Sequence, residues 1–130
     1  MSTIFSKIVA GEIPCHKVAE TENCLAFLDI NPVRLGHTLC IPKAEVDYIF
    51  NLEDDALAEL TVFSKKVANA IEQVFPCNRV GVTVIGLEVP HAHIHLIPID
   101  TLTDMNFTKP KMNPGHELLI EIAEKLRSAL

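Results

Sequence analysis

The sequence predicts an α+β domain built on an antiparallel sheet, and three observations carry that reading. Short runs rich in Val and Ile follow one another closely and are joined by polar turns. A long stretch after Asn51 changes to a helical period, and a second amphipathic stretch closes the chain. About five strands, one long central helix and one terminal helix result, with the helices set apart from the hairpins rather than alternating with every strand.

Each element has a local reason. In "TIFSKIVAGEIP", Ile4, Phe5, Ile8 and Val9 fall at helix spacing before Gly11 and Pro14 stop it, which predicts a short helical turn. "HKVAETENCLAFLDI" reads as two strands, His16 to Glu20 and Cys24 to Ile30, around the polar turn Thr21-Glu22-Asn23. "NPVRLG" is a loop, and "HTLCIP" is a third strand ended by Pro42. Leu57, Leu60, Val67, Ile71 and Val74 then mark a helix, with Asn51 as its N-cap, acids at 53–55 where the helix dipole favours them, and Pro76 as the stop. "RVGVTVIG" and "HAHIHLIPI" are two further strands. After a long polar connection, Leu118, Leu119, Ile122, Ala123 and Leu126 share one face of a C-terminal helix.

The totals bound the function. A chain of 130 residues is read as one domain, 1–130, large enough to bury a core without staples. Its net charge of −6 and scattered Lys and Arg argue against a nucleic-acid polymer as ligand. No run reaches the length of a membrane span and no basic-then-apolar leader opens the chain, so the expected location is cytoplasmic, away from the membrane. Cys15, Cys24, Cys40 and Cys77 form no CxxC pair and are read as reduced thiols.

The chemistry concentrates in "VPHAHIHLIPID", residues 89–100, where His91, His93 and His95 alternate in an apolar run. On an extended strand they would share one face, roughly 6.5–7 Å apart, with Ala92, Ile94 and Leu96 turned into a core. Crowding three titratable rings costs free energy unless they are used. Two uses fit the spacing: the rings ligate a divalent ion, completed by a residue such as His37 or Glu88, or one ring is a nucleophile or base and its neighbours bind an anion. Spacing alone leaves both open.

The run "VPHAHIHLIP" resembles the signature of the histidine triad family. "AFLDINPVRLGHTLCIPK" is similar to that family's upstream segment and "IFSKIVAGEIP" to its N-terminal segment, in the expected order. The resemblance implies a HIT-like fold, with a core over 1–108 and a C-terminal extension and helix over 109–130. It implies a homodimer whose two five-stranded sheets join, and hydrolysis or transfer at the α-phosphate of a purine nucleotide, with no metal and no cofactor. By matching positions, His93 is the nucleophile of a covalent nucleotidyl-histidine, and the main-chain carbonyl of His91 holds its other nitrogen. His95 contacts phosphate and leaving group, and His37 supports the same proton network. Asp29 takes the ribose hydroxyls, while Ile4, Phe5, Ile8, Phe27, Leu28, Ile30 and Val89 form the nucleotide pocket.

Departures from the family pattern keep other readings in play. Ser6 stands where some members carry a zinc-binding Cys, so no structural zinc is expected. Leu87 and Glu88 replace the Gln and hydroxyl residue often found ahead of the triad. A carboxylate beside an anionic phosphate is repulsive unless it points away or meets a cationic leaving group. The alternatives are a nucleotide-binding regulatory dimer with little turnover and a metal-dependent hydrolase using the three strand histidines.

Overall fold

The computed structural model describes residues 2–130. Five strands form one antiparallel sheet in the order β1-β2-β3-β5-β4: β1 Lys17–Glu20, β2 Cys24–Leu28, β3 Thr38–Pro42, β4 Arg79–Thr83 and β5 Ile94–Ile99. Helix α1 is Ile4–Val9, the long α2 is Asp54–Val74 and α3 is His116–Ser128, with short 3-10 turns at Ile49–Asn51 and Leu102–Met105. Among the described residues, no helix is long and apolar enough to cross a membrane.

The sheet has two apolar faces, which explains why β2 and β3 are buried at every position and read as continuous hydrophobic runs. One face carries Cys24, Ala26, Leu28, Cys40, Ile94 and Leu96, packed against Leu60, Val67 and Ile71 of α2 and Leu119, Ile122 and Leu126 of α3. Ala92, just ahead of β5, joins the same cluster. The opposite face carries Leu25, Phe27, Leu39 and Ile41 under Phe5 of α1, with Ile8 and Val89 at its margin. Helix α3 thus shares the main core. The four cysteines are unpaired, and burial pushes the Cys40 thiol up to about 12.

Several boundaries differ from the sequence reading, each for a local reason. Helix α2 begins at Asp54 with Glu53 as N-cap, not at Asn51: Asn51 is consumed by the 3-10 turn that inserts Ile49 into the core beside Leu52. Strand β2 stops at Leu28: the Asp29 amide still bonds its in-register partner, the His37 carbonyl (3.0 Å), but Asp29 Oδ1 then accepts the Asn31 amide in a turn that leaves Ile30 outside the sheet. Strand β4 ends at Thr83. Leu118 is 39% exposed and lies off the buried stripe of α3. Strand β5 begins only at Ile94, so His91 and His93 precede it: the Ala92 amide leaves the ladder to bond the Val46 carbonyl at 2.7 Å.

Candidate active site

The polar groups of the site are assembled at the β3–β5 junction. His95 lies on β5 opposite Leu39 of β3 and Thr83 of β4. His37 immediately precedes β3, delivered by Gly36, whose φ of 96° suits glycine. A Cβ there would also approach the Phe75 ring to 2.9 Å. His37, His91, His93 and His95 are all buried.

Their ring protons can be assigned from partners with only one possible role. The Val33 amide donates to His37 Nδ1 (3.1 Å), so the His37 proton sits on Nε2. That proton is given to His95 Nδ1 at 2.9 Å, which places the His95 proton on its own Nε2. His91 Nε2 faces the Pro42 carbonyl at 2.8 Å and must donate, so its Nδ1 accepts from the Thr3 hydroxyl at 3.0 Å. Thr3 is the N-cap of α1 and accepts the Ser6 amide at the same oxygen, which ties the short helix to the site. Finally, His93 Nδ1 donates to the His91 carbonyl at 2.7 Å, leaving His93 Nε2 with its lone pair.

Burial keeps the supporting rings neutral. Desolvation, with smaller repulsion from neighbouring rings, lowers His37 to about 3 and His95 to about 4. Desolvation also lowers His91, against the pull of its bond to the Pro42 carbonyl. The 3.8 Å approach of His37 Nε2 to Asp29 Oδ2 is therefore not an ion pair at neutral pH. Desolvation raises Asp29, opposed by the Asn31 amide that its Oδ1 accepts at 2.9 Å.

A cleft of about 490 Å³ opens over these rings, within the range of small-molecule sites. Ile4, Phe5, Asp29, Val89, His93 and His95 line it, so six of the residues given catalytic or nucleotide-binding roles from the sequence come together here, with Leu87 and Glu88 beside them. His37 and His91 stand behind the wall, bonded to His95 and His93. The remaining pocket residues are not on it. Leu28 faces the helix side of the sheet, the consequence of strand alternation one residue after Phe27. Phe27 and Ile8 back the wall through Phe5, with the Phe5 and Phe27 rings 5.4 Å apart. Ile30 is 60% exposed beyond the end of β2. Ser6, to which no pocket role is assigned, donates its hydroxyl to Glu45 Oε1 at 2.5 Å.

Sequence reasoning missed Asn31, Leu39, Ile85, Phe107, Thr108 and Lys111, which also line the cleft. Leu39 lies in a strand buried on both faces, so no alternation marks which face it takes, and residues 107–111 lie in a polar connection without any period. Phe107 sets its ring edge against His95 (4.9 Å) and His37 (5.9 Å). Among the described residues, no three His, Cys, Asp or Glu side chains converge on a point that could hold an ion.

A family model, the HIT domain, matches residues 10–102. The chain belongs to the HIT family. It is 42% identical over 99 residues to the Schizosaccharomyces pombe protein named adenosine 5'-monophosphoramidase hnt1, covering 75% of this chain and 74% of that one. An uncharacterized HIT-like protein of Borreliella burgdorferi is 38% identical over 102 residues, covering 73% of each. Among solved structures, a Hit-like protein from Bartonella henselae superposes with a TM-score of 0.86 at 30% identity, covering 99% of this chain and 97% of that one. A zinc-bound histidine triad protein from Mycobacterium smegmatis gives 0.84 at 27% identity, covering 99% and 93%. The HIT fold is thus an α+β fold in which a five-stranded antiparallel sheet carries the long helix and the C-terminal helix.

Proposed function

We propose that this HIT protein hydrolyses purine nucleoside phosphoramidates or related α-phosphate esters through a covalent nucleotidyl-His93 intermediate, without a metal. The observation that carries this is the bond from His93 Nδ1 to the His91 carbonyl, which leaves Nε2 unprotonated at the cleft wall. The name of the Schizosaccharomyces pombe relative supports the substrate class.

The His93 Nε2 lone pair attacks phosphorus, the P–N bond to the ring forms, and the bond to the leaving group breaks. The positive charge developing on the ring is spread through Nδ1–H onto the His91 carbonyl, so the bond strengthens as the transition state forms. His95 presents Nε2–H to a phosphate oxygen and the leaving atom. His95 stays neutral with its proton on Nε2, donating to the charge that develops there, while the departing amine takes its proton from solvent. Water then attacks phosphorus and frees His93, which splits one difficult displacement into two. Asp29 accepts the ribose hydroxyls, and the base lies against Ile4, Phe5 and Val89.

The working form is a homodimer. Strand β4 is a sheet edge with Val82 63% exposed on it, and just beyond it Val84 and Leu87 line one hollow with the exposed Tyr48 and Phe50, an apolar surface that a second copy would cover. The unpaired thiols fit a reducing, cytoplasmic setting. The direct test is turnover of an adenosine phosphoramidate: His93→Ala abolishes it while still binding the nucleotide, and a variant retaining wild-type turnover contradicts the mechanism. A regulatory dimer would instead bind purine nucleotide with negligible turnover in the wild-type protein.

A further inference from the structure

The family match ends at residue 102, yet the cleft does not. Its remaining wall is the connection between β5 and α3, which contributes Phe107, Thr108 and Lys111. This connection is fastened at both ends to the loop that leads from Asp29 to His37. At one end Arg34 Nη1 pairs with Asp104 Oδ2 at 2.9 Å. At the other, the Met112 amide donates to the Pro32 carbonyl at 2.9 Å and Asn31 Nδ2 donates to the Met112 carbonyl at 3.4 Å. Between the two ties, Phe107 packs on the His37 and His95 rings, so Lys111 is carried on a fixed strap rather than a free tail.

The charges on the wall make this position consequential. The cleft is lined by two carboxylates, Asp29 and Glu88, and by one permanent cation, Lys111. The turn ahead of the triad, Gly86-Leu87-Glu88, brings a carboxylate and no donor side chain with positive charge. The His95 ring is neutral, so it does not offset them. Lys111 has no carboxylate within 4.0 Å among the described residues, so its charge is not spent on an ion pair. Its field reaches inward: it favours the charged form of Asp29 and disfavours protonation of His37 and His95.

We propose that Lys111 is a specificity-determining residue that pairs with the phosphate oxygens of the bound nucleotide, supplying from the β5–α3 strap the attraction that the acidic wall lacks. This rests on the nucleotide reading of the cleft given above. Lys111 acts by contact with substrate charge, so its loss separates phosphate-bearing ligands from those without phosphate.

Calorimetric binding of AMP and of adenosine to the full chain tests this, comparing wild type with Lys111→Met and Lys111→Arg at low and moderate salt. Expected is a weakening of AMP by about tenfold in Lys111→Met, the size of one charge-assisted contact. Adenosine affinity stays unchanged, the salt dependence of AMP binding becomes shallower, and Lys111→Arg restores AMP. The same variant raises KM for a phosphoramidate more than it lowers kcat. Lys111→Met that binds AMP as tightly as wild type overturns the proposal, as does an equal loss for AMP and adenosine, which marks a structural role. Wild-type protein that binds neither ligand overturns the nucleotide reading itself, and this proposal with it.

Discussion

His37 Nε2 donates to His95 Nδ1 over 2.9 Å, and the direction of that bond is set by a third group, the Val33 amide at His37 Nδ1. A backbone amide can only donate, so it forces the His37 tautomer, which forces that of His95 and turns the His95 Nε2–H outward. A residue outside the cleft wall thus decides what the wall offers to a substrate.

Replacing His37 by Phe removes the donor and strands the Val33 amide. The expected outcome is a fall in kcat/KM of about 10²-fold, the usual scale for a group supporting proton transfer. A stability loss of about 1 kcal/mol accompanies it, from the half-buried amide left unpaired. Steady-state kinetics and denaturant melts read the two effects separately.

The low proton affinity of His37 (about 3) and His95 (about 4) makes stability depend on pH. An unfolded histidine titrates near about 6.5, so between about 4 and 6.5 the unfolded chain holds more protons than the folded one. Stability therefore rises with pH through that window and levels off above it; acidification from 6.5 toward 4 destabilises the fold. Asp29 acts with the opposite sign, since its raised carboxyl affinity favours the folded state at low pH. Thermal melts across pH 4–7 check this, with a shallower slope in His37→Gln.

Asp29 Oδ1 accepts the Asn31 amide, so in the proposed complex Oδ2 is the oxygen that meets the ribose. Asp29→Asn keeps the turn acceptor but weakens acceptance of two hydroxyls, so discrimination between ribo- and 2'-deoxy-nucleotide substrates falls by about tenfold. The ratio of kcat/KM for the two sugars measures it.

Val82→Lys places a charge on the exposed edge of β4 and disfavours pairing with a second copy. Sedimentation velocity is expected to show a dimer for the wild-type chain and a monomer for this variant.

Much of this architecture was legible in the residues, and the failures have physical causes. Helix α2 announced itself because Leu60, Val67 and Ile71 must all reach one core, and that constraint writes a 3.6-residue period. Its start was misplaced because Asn51, a good cap by chemistry, is used one turn earlier. Assigning both Phe27 and Leu28 to one pocket conflicts with strand alternation, and the sheet separates them onto opposite faces. The three histidines suggested one line of equivalent rings, but Ala92 leaves the ladder and each ring meets a different partner. Phe107 and Lys111 were hidden because a strap held by ties at its ends needs no periodic pattern between them.

In the proposed mechanism the nucleotidyl group is carried on His93 between two displacements at phosphorus. The stereochemical course at an isotopically chiral α-phosphorothioate tests it most directly, because each in-line displacement inverts the centre. Two displacements through a nucleotidyl-His93 predict net retention. Net inversion means a single attack by water, metal-bound or free, and contradicts the account.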